Sequence, residues 1–456
     1  MRGSLGTTAS QAAPSKTELS RRSLMRGTAL GAAAAAGAGA LSACAPSAGG
    51  SDGGKTTLTV MAPENEIDIK AAEAALGLKI KRVEVDTTKL TAMLASGTAP
   101  DLVRGLGAVE TPYIVARDLA LPLDDYFAKS ELLKEDDIDP INDVWRYDGS
   151  VQGKGPRYGL AKDYSQDAMI WYNTALFDAA GVDYLSDTEP VTYDQWLELG
   201  KQLTQKDGDT TSVYGLSAGG LGLFITMVNM TASAGGSLFA DDLGSLDFSS
   251  PEGQQALSWY LDYARARVGF SPVEPNPDGW DWPPYQTGRL AMSWSGYWFG
   301  GSIAAEPALA ETSRFAPAPV MGAERISPCF GATGYWIPKA SKNHDDAWKL
   351  FEWFMGGQPA KDRAAGGWGL PSLLSLRADL PTGTPAQAQA LTVQDAEADY
   401  FKVLSFTPYV KVEALDAVLN QYLPDAINDG TSAAALADTL NNDMNALIDE
   451  GKELVK

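Results

Sequence analysis

Apolar and polar residues alternate along Thr56-Thr-Leu-Thr-Val-Met61 and stop at Ala62-Pro63, which predicts a strand running into a loop. Ala71 to Leu76 has helical composition, Leu78-Lys-Ile-Lys-Arg-Val-Glu-Val85 alternates again, and Lys89 to Leu94 is helical before Ser96-Gly97. Asp101-Leu-Val103 is a short strand. This β-α-β-α-β order predicts a parallel sheet with helices on both faces. Ligands bind at the carboxyl ends of strands in such sheets, so Pro63-Glu64-Asn65 and Arg104-Gly105 fall at a candidate site. Farther on, Met169–Tyr172 reads as a strand, and Asn173 and Thr174 open a helix over Ala175–Ala180 that Gly181 ends. Tyr193–Leu203 is a helix with apolar residues at 196, 197, 199 and 203. Leu290–Trp294 and Gly334–Pro338 are strands. Asp345–Met355 is an amphipathic helix, and Ala433–Leu454 is a helix with Leu436, Leu440, Met444, Leu447 and Ile448 as its stripe.

Upstream of the first strand the pattern changes. Arg2, Lys16, Arg21, Arg22 and Arg26 face a single acid, Glu18, and Thr28 to Ala43 is a mild run made mostly of Ala and Gly. That run is too short for a stable membrane span. Residues 1–43 are an export signal outside the fold. Ser20-Arg21-Arg22-Ser23-Leu24-Met25 resembles the twin-arginine motif. Leu41-Ser42-Ala43-Cys44 resembles the bacterial lipoprotein box, in which small residues precede the cut and the thiol takes up lipid. Cys44 is therefore the expected lipidation site. Residues 44–55 form a flexible tether, which as a coil spans roughly 20 Å.

The segment after residue 43 is too long for one core and fits two domains. Five of the 36 bases but one of the 58 acids lie in the export signal, so the remainder holds 31 bases and 57 acids. Such an acidic surface argues against nucleic acid or anionic lipid as partners. The expected contact with a membrane is through the lipid anchor only, on the outer side of the cytoplasmic membrane.

Catalytic and metal chemistry find little material. The one histidine, His344, opens a helical pattern, and no nucleophile elbow accompanies it. The second cysteine, Cys329, reads as a small core residue beside Phe330. Asp207-Gly-Asp209 and Glu135-Asp-Asp-Ile-Asp139 lack calcium-loop spacing. No catalytic residue, metal or cofactor is expected.

Six motifs occur in order. They are Ala95-Ser-Gly-Thr-Ala-Pro-Asp101, Leu121-Pro-Leu-Asp-Asp-Tyr126, Trp171-Tyr-Asn-Thr-Ala-Leu-Phe-Asp-Ala-Ala-Gly-Val182, Pro190-Val-Thr-Tyr-Asp-Gln-Trp-Leu197, Thr287-Gly-Arg-Leu-Ala-Met-Ser-Trp-Ser-Gly-Tyr-Trp298 and Gly366-Gly-Trp-Gly-Leu-Pro371. From about Leu58 onward the chain thus resembles the extracellular solute-binding proteins of family 1, the sugar-capturing receptors of bacterial ABC importers, which include the maltose-binding type. The resemblance implies an α/β, two-lobed periplasmic-binding-protein fold of type II. Each lobe is then a mainly parallel sheet flanked by helices, and three segments form the hinge. Crossings near Asp163, Phe330 and Trp368 give an N-terminal lobe of 56–162 plus 331–368 and a C-terminal lobe of 163–330 plus 369–456. A monomer that captures a carbohydrate and delivers it to the transmembrane subunits of an ABC permease is implied.

A sugar offers apolar C–H faces and a hydroxyl rim, so its site needs flat aromatic rings beside charged or amide groups. The chain has 12 Trp and 17 Tyr. Trp294, Trp298, Trp336 and Trp368 sit at expected strand ends or crossings, and the resemblance makes Trp298 the foremost stacking candidate. Trp171, Trp196, Trp348 and Trp353 read as core, and Trp280 and Trp282 stay undecided. Glu64 and Asn65 follow the first strand, and Asp163, Ser165 and Gln166 lie at the first crossing. Arg104 either clamps ligand hydroxyls or a carboxylate, or lies on the surface. Gly105-Leu-Gly-Ala108 stands where the maltose type carries an aromatic and acids, and Gly219-Gly-Leu-Gly-Leu-Phe224 is poor in polar groups. They weigh against maltose and leave another saccharide as the expected ligand. The alternatives are a receptor of the same fold for a non-sugar solute and an anchored glycosidase.

Overall fold

The computed structural model describes residues 56–208, 210–219 and 222–455. The export signal, Cys44 and the tether up to Lys55 lie outside the described residues. Local signals decide where most elements start and stop. Asp68 caps the first helix by accepting from the Ala71 amide, and Gly77, at φ 71°, ends it. Asp86 caps the second through the Lys89 amide. The helix Tyr193–Leu203 opens on a reciprocal capping box between Thr192 and Gln195.

Along the chain come β1 (Thr57–Met61), α1 (Ile69–Leu76), β2 (Lys79–Val83), α2 (Thr87–Ala95), β3 (Leu102–Leu106) and α3 (Gly107–Ala116). Then follow β4 (Gly159–Ala161), β5 (Asp163–Tyr164), β6 (Ile170–Asn173), α4 (Thr174–Ala180), α5 (Tyr193–Leu203), α6 (Leu223–Ser233) and α7 (Pro251–Ala266). Next are β7 (Met292–Trp294), β8 (Ser313–Ala316), β9 (Ser327–Cys329), β10 (Thr333–Trp336), α8 (His344–Gly356) and α9 (Gln358–Gly366). The chain closes with β11 (Leu370–Pro371), α10 (Pro385–Ala396), β12 (Phe401–Val403), α11 (Val412–Asp429) and α12 (Ala433–Glu453). Short hairpins and single helical turns link these elements.

The first sheet has the order β2-β1-β3-β10-β4. The β2-β1-β3 part is parallel, as the β-α-β-α-β order predicts. β10 then inserts antiparallel beside β3, with Tyr335 opposite Arg104 and Trp336 opposite Val103, and β4 pairs antiparallel on its far side. One face of this sheet packs Leu58, Val60, Leu102 and Tyr335 against Phe351 and Phe354 of α8.

The second sheet, β7-β6-β8, departs from the mainly parallel arrangement expected of that lobe. Both of its strand pairs are antiparallel, and parallel pairing is limited to isolated bridges such as Tyr214 to Leu290 and Ser217 to Ser293. The reason is that all four residues of β6 are buried. A continuous apolar run reports burial on both faces but carries no information on strand direction. Behind this sheet Trp196, Trp259 and Tyr263 form a stack, with centroids 5.7 and 5.6 Å apart and planes within 8° and 3°. Two further pairs join distant segments. β5 pairs antiparallel with β11, and β9 pairs parallel with β12.

Trp145 is fully buried and wedges between the start of α3 and β4. Its Nε1 donates to the Ala332 carbonyl at 3.2 Å. The ring lies flat on two glycines. A Cβ at Gly107 would come within 2.5 Å of it, and one at Gly159 would strike the ring and sit 2.6 Å from the Tyr335 carbonyl oxygen. Gly159→Ala is therefore expected to lower stability by about 1–3 kcal/mol. The measurement is the urea midpoint, and an unchanged midpoint would mean that Trp145 yields without cost.

Candidate functional site

A cavity of about 520 Å³ lies at the inner face of the first sheet. α2 and α3 form one wall, with Arg104 and Trp336 from β3 and β10, and the start of α11 with Ile225 of α6 forms the other. Direct contacts join the walls. Thr87 donates to Glu413 at 3.0 Å, Lys411 donates to Thr91 at 3.2 Å, and Arg117 donates to the carbonyls of Pro408 and Tyr409 at 2.8 and 2.6 Å. The Arg117 guanidinium also lies 4.0 Å from the centroid of the Tyr113 ring. The volume falls within the roughly 300–1,000 Å³ of small-molecule sites.

Most of the lining is aliphatic, and this sets its electrostatics. Glu110 lies in the first turn of α3. Burial pushes its carboxyl up to about 7, the charge on Glu413 adds to the rise, and the Leu106 amide, Arg104 and Lys411 oppose it. Asp416 of α11 is pushed up to about 6, chiefly by burial, although it accepts from the Phe224 amide at 2.6 Å. Burial likewise lowers the Lys411 ammonium.

A smaller aromatic pocket shares Ile225 with this cavity and holds Trp280, Trp294 and Trp298. Trp298 is half-buried and meets Phe299 edge-on at 5.7 Å. Trp280 is exposed. Trp294 is buried beside Trp196, and its Nε1 donates to the Ala168 carbonyl at 2.6 Å. Asp167 sits beneath them. It accepts from the amides of Phe330 and Gly331 at 3.1 and 2.8 Å and from the Ser165 hydroxyl at 3.2 Å. Burial still pushes its carboxyl up to about 6.

In the loop after β1 Glu66 gathers several partners. The Tyr335 hydroxyl donates to it, Arg104 Nε lies 3.3 Å away and Lys162 Nζ 3.4 Å away. Burial alone would raise this carboxyl, but Lys162, Arg104 and Tyr335 together hold it below the usual carboxylate range. Lys162 also pairs with Asp163.

The residues singled out in the sequence fall into four groups. Arg104 and Trp336 line the cavity, and Trp294 and Trp298 line the aromatic pocket beside it. Glu64 and Asn65 are exposed, and the charge of Glu64 acts on Arg82 of β2. Asp163, Ser165 and Gln166 are buried and already bonded, Gln166 to the Glu397 carbonyl at 3.1 Å and to Gln394. Trp368 is 41% exposed and covers Gly301, where a Cβ would lie 2.5 Å from its ring. The sequence reading did not single out Glu66, Glu110, Tyr113, Asp167, Lys411, Glu413 or Asp416. Glu110, Tyr113 and Arg117 share one helical face directly after β3, a signal that was available. The segment 410–416 carries no such local signal.

Residues 69–356 match the family model of bacterial extracellular solute-binding proteins. A curated relative, a lactose-binding protein of Rhizobium radiobacter, is 24% identical over 197 residues. That alignment covers 42% of this chain and 44% of the relative, so the chain spans less than half the length of this curated relative. Among solved structures, an ABC substrate-binding protein from Listeria monocytogenes in complex with cycloalternan superposes with a TM-score of 0.69 at 21% identity, covering 88% of this chain and 98% of that one. An ABC transporter solute-binding protein from Thermotoga lettingae, bound with α-D-tagatose, gives 0.71 at 22% identity, covering 86% and 100%. The chain shares their two-lobed α/β fold.

Asp167 provides a pH test of this geometry. A carboxyl raised by folding favours the folded state while protonated, so its contribution is lost as pH rises from about 4 through about 6. Asparagine keeps an acceptor for both backbone amides. Asp167→Asn is expected to match the parent below pH 4 and to exceed its stability by about 1–3 kcal/mol above pH 6. Thermal unfolding at several pH values checks this, and a parent more stable than the variant at pH 7 would contradict it.

Proposed function

The chain belongs to the bacterial extracellular solute-binding proteins, and from that premise we propose that it captures a mono- or oligosaccharide between its lobes and delivers it to the permease of an ABC importer. Members of this family are exported binding proteins. The observation that carries the proposal is the cavity whose opposite walls come from α2 and α3 on one side and from the start of α11 on the other. A solute that touches both walls favours whichever lobe arrangement brings them together. The aromatic pocket beside it supplies ring faces for sugar C–H groups. The named ligands of the Listeria and Thermotoga proteins are saccharides, and the curated relative is a lactose-binding protein.

In this reading the lobes are 56–162 plus 331–368 and 163–330 plus 369–456. The pairs β5 with β11 and β9 with β12 lie at or near the crossings. Trp298, Arg104 and Trp336 meet the ligand, and Trp294 backs Trp298. Asp163, Ser165, Gln166 and Trp368 belong to the crossings and their flanks, and Glu64 and Asn65 to the rim. Lipid on Cys44 keeps a monomeric receptor close to its permease and raises its effective concentration there. No helix among the described residues is long and apolar enough to cross a membrane, which is compatible with an anchor supplied by lipid.

A thermal-shift screen of mono- and oligosaccharides tests the ligand class. Saturable stabilisation without turnover supports a receptor. With the best ligand, Trp298→Ala is expected to weaken binding at least tenfold, about 1.4 kcal/mol, with little change in melting temperature. Unaltered affinity by calorimetry would remove Trp298 from the site.

A further inference from the structure

We propose that Arg117 is a latch that holds the two walls of the 520 Å³ cavity together before any solute enters, and so tunes how tightly the receptor binds. The inference rests on the receptor reading and lobe division above and adds the control of closure to them.

Arg117 is the residue at which α3 stops. Asp118 follows at φ 55°, and its carboxylate pairs with Lys339. The Arg117 guanidinium reaches across to the opposite wall instead. One Nη donates to the Pro408 carbonyl at 2.8 Å and the other to the Tyr409 carbonyl at 2.6 Å. A rigid planar fork on two successive carbonyls fixes the approach of one segment to the other. In the proposed division Arg117 lies in 56–162, and Pro408 and Tyr409 lie in 369–456, so both bonds run between lobes. Their acceptors are anchored in the second lobe. A Cβ on Gly451 would lie 2.0 Å from the Tyr409 carbonyl oxygen, so α12 packs directly on that acceptor. The Tyr409 amide donates to the buried Thr407 hydroxyl at 3.3 Å, and the Leu404 amide donates to the Cys329 carbonyl at 3.1 Å. The segment 404–409 therefore moves with its own lobe, and parting the walls has to break the Arg117 bonds.

Tyr113, one turn back on α3, supports the contact. The Arg117 guanidinium lies 4.0 Å from its ring centroid and the Lys411 ammonium 5.5 Å from the same centroid, so the ring meets a cation from each wall. The other contacts across the gap, Thr87 with Glu413 and Thr91 with Lys411, are exposed, where water competes for both partners. Arg117 is half-buried and its bonds are charge-assisted, so it outweighs them. All of these contacts run from protein to protein. A receptor that closes on its own offers a preorganised cavity, and its apparent affinity rises with the fraction of molecules already closed.

The test is double electron–electron resonance on the full chain, with spin labels at Lys89→Cys of α2 and Gln421→Cys of α11, both exposed positions. Cys44→Ser removes the competing thiol, and Cys329 is buried. Without solute, the protein with Arg117 intact is expected to give a short, narrow distance distribution, and Arg117→Ala a longer one. Arg117→Lys keeps the charge but loses the fork, and is expected to fall between them. The best saccharide is expected to restore the short distance to Arg117→Ala, at an affinity at least about fivefold weaker than with Arg117 intact. Identical solute-free distributions with and without Arg117 overturn the latch. A lower melting temperature with an unmoved distance also overturns it, since that is a merely structural role. If Arg117→Ala does not fold, Arg117→Lys decides by the same criterion. The solute-free distances need no ligand, so the latch stands or falls by them even where no saccharide binds and the saccharide reading fails.

Discussion

The arrangement depends on one carboxylate. Glu66 leaves the loop after β1 and binds Arg104 of β3, Tyr335 of β10 and Lys162, which follows β4. Those partners come from segments that are far apart in the chain, and β10 sits in the middle of the sheet between β3 and β4. Glu66 and Lys162 are only 15% and 12% exposed, so neither charge is well solvated without the other. Removing Glu66 would strip Arg104 and the Tyr335 hydroxyl of their shared acceptor, which is the costly way to break an ionic network. Since Lys162 also holds Asp163 at the start of β5, the same network joins the cavity wall to the β5–β11 pair.

This network also explains how Arg104 is used. It lines the cavity, yet its Nε is directed to Glu66. The cavity therefore has a guanidinium at its edge paired with Glu66, while the charge of Lys411 acts on Glu110 and Glu413. The two compartments divide their chemistry accordingly. One offers aromatic rings, the other aliphatic walls with carboxylates and basic groups set among them.

The fold was legible wherever its information is local. The helix Tyr193–Leu203 was readable from its apolar spacing, and its capping box agrees with that boundary. Asn173 and Gly181 bracket α4 as their side-chain chemistry and backbone freedom require. Strand direction in the second sheet was not legible, since β6 is buried throughout and partners β7 and β8 from more than 100 residues away. The same limit applies to the site. Trp298 and Arg104 stand beside strand ends, which made them candidates, and they line the aromatic pocket and the cavity. Glu64 was singled out in place of Glu66 because both occupy one loop. Asn65, at φ 64°, turns the backbone so that one acid faces outward and the other inward. Lys411, Glu413 and Asp416 reach the cavity only through the tertiary fold, and Glu413 meets Thr87 across 326 positions of sequence.

The pairing of β5 with β11 has a mechanical consequence. It is two residues long, Leu370 opposite Tyr164 and Pro371 opposite Asp163, and the proline has no amide hydrogen to contribute. Gly369, at φ 89°, precedes it in a conformation that most side chains would resist. A ladder so short behaves as a soft torsional spring between two stiff plates. Twist concentrates in a few dihedral angles there, while the sheets and packed helices on either side resist deformation. In the proposed lobe division, with its crossings near Asp163 and Trp368, such a ladder would let the lobes swing at small elastic cost and would set little preference for where they stop.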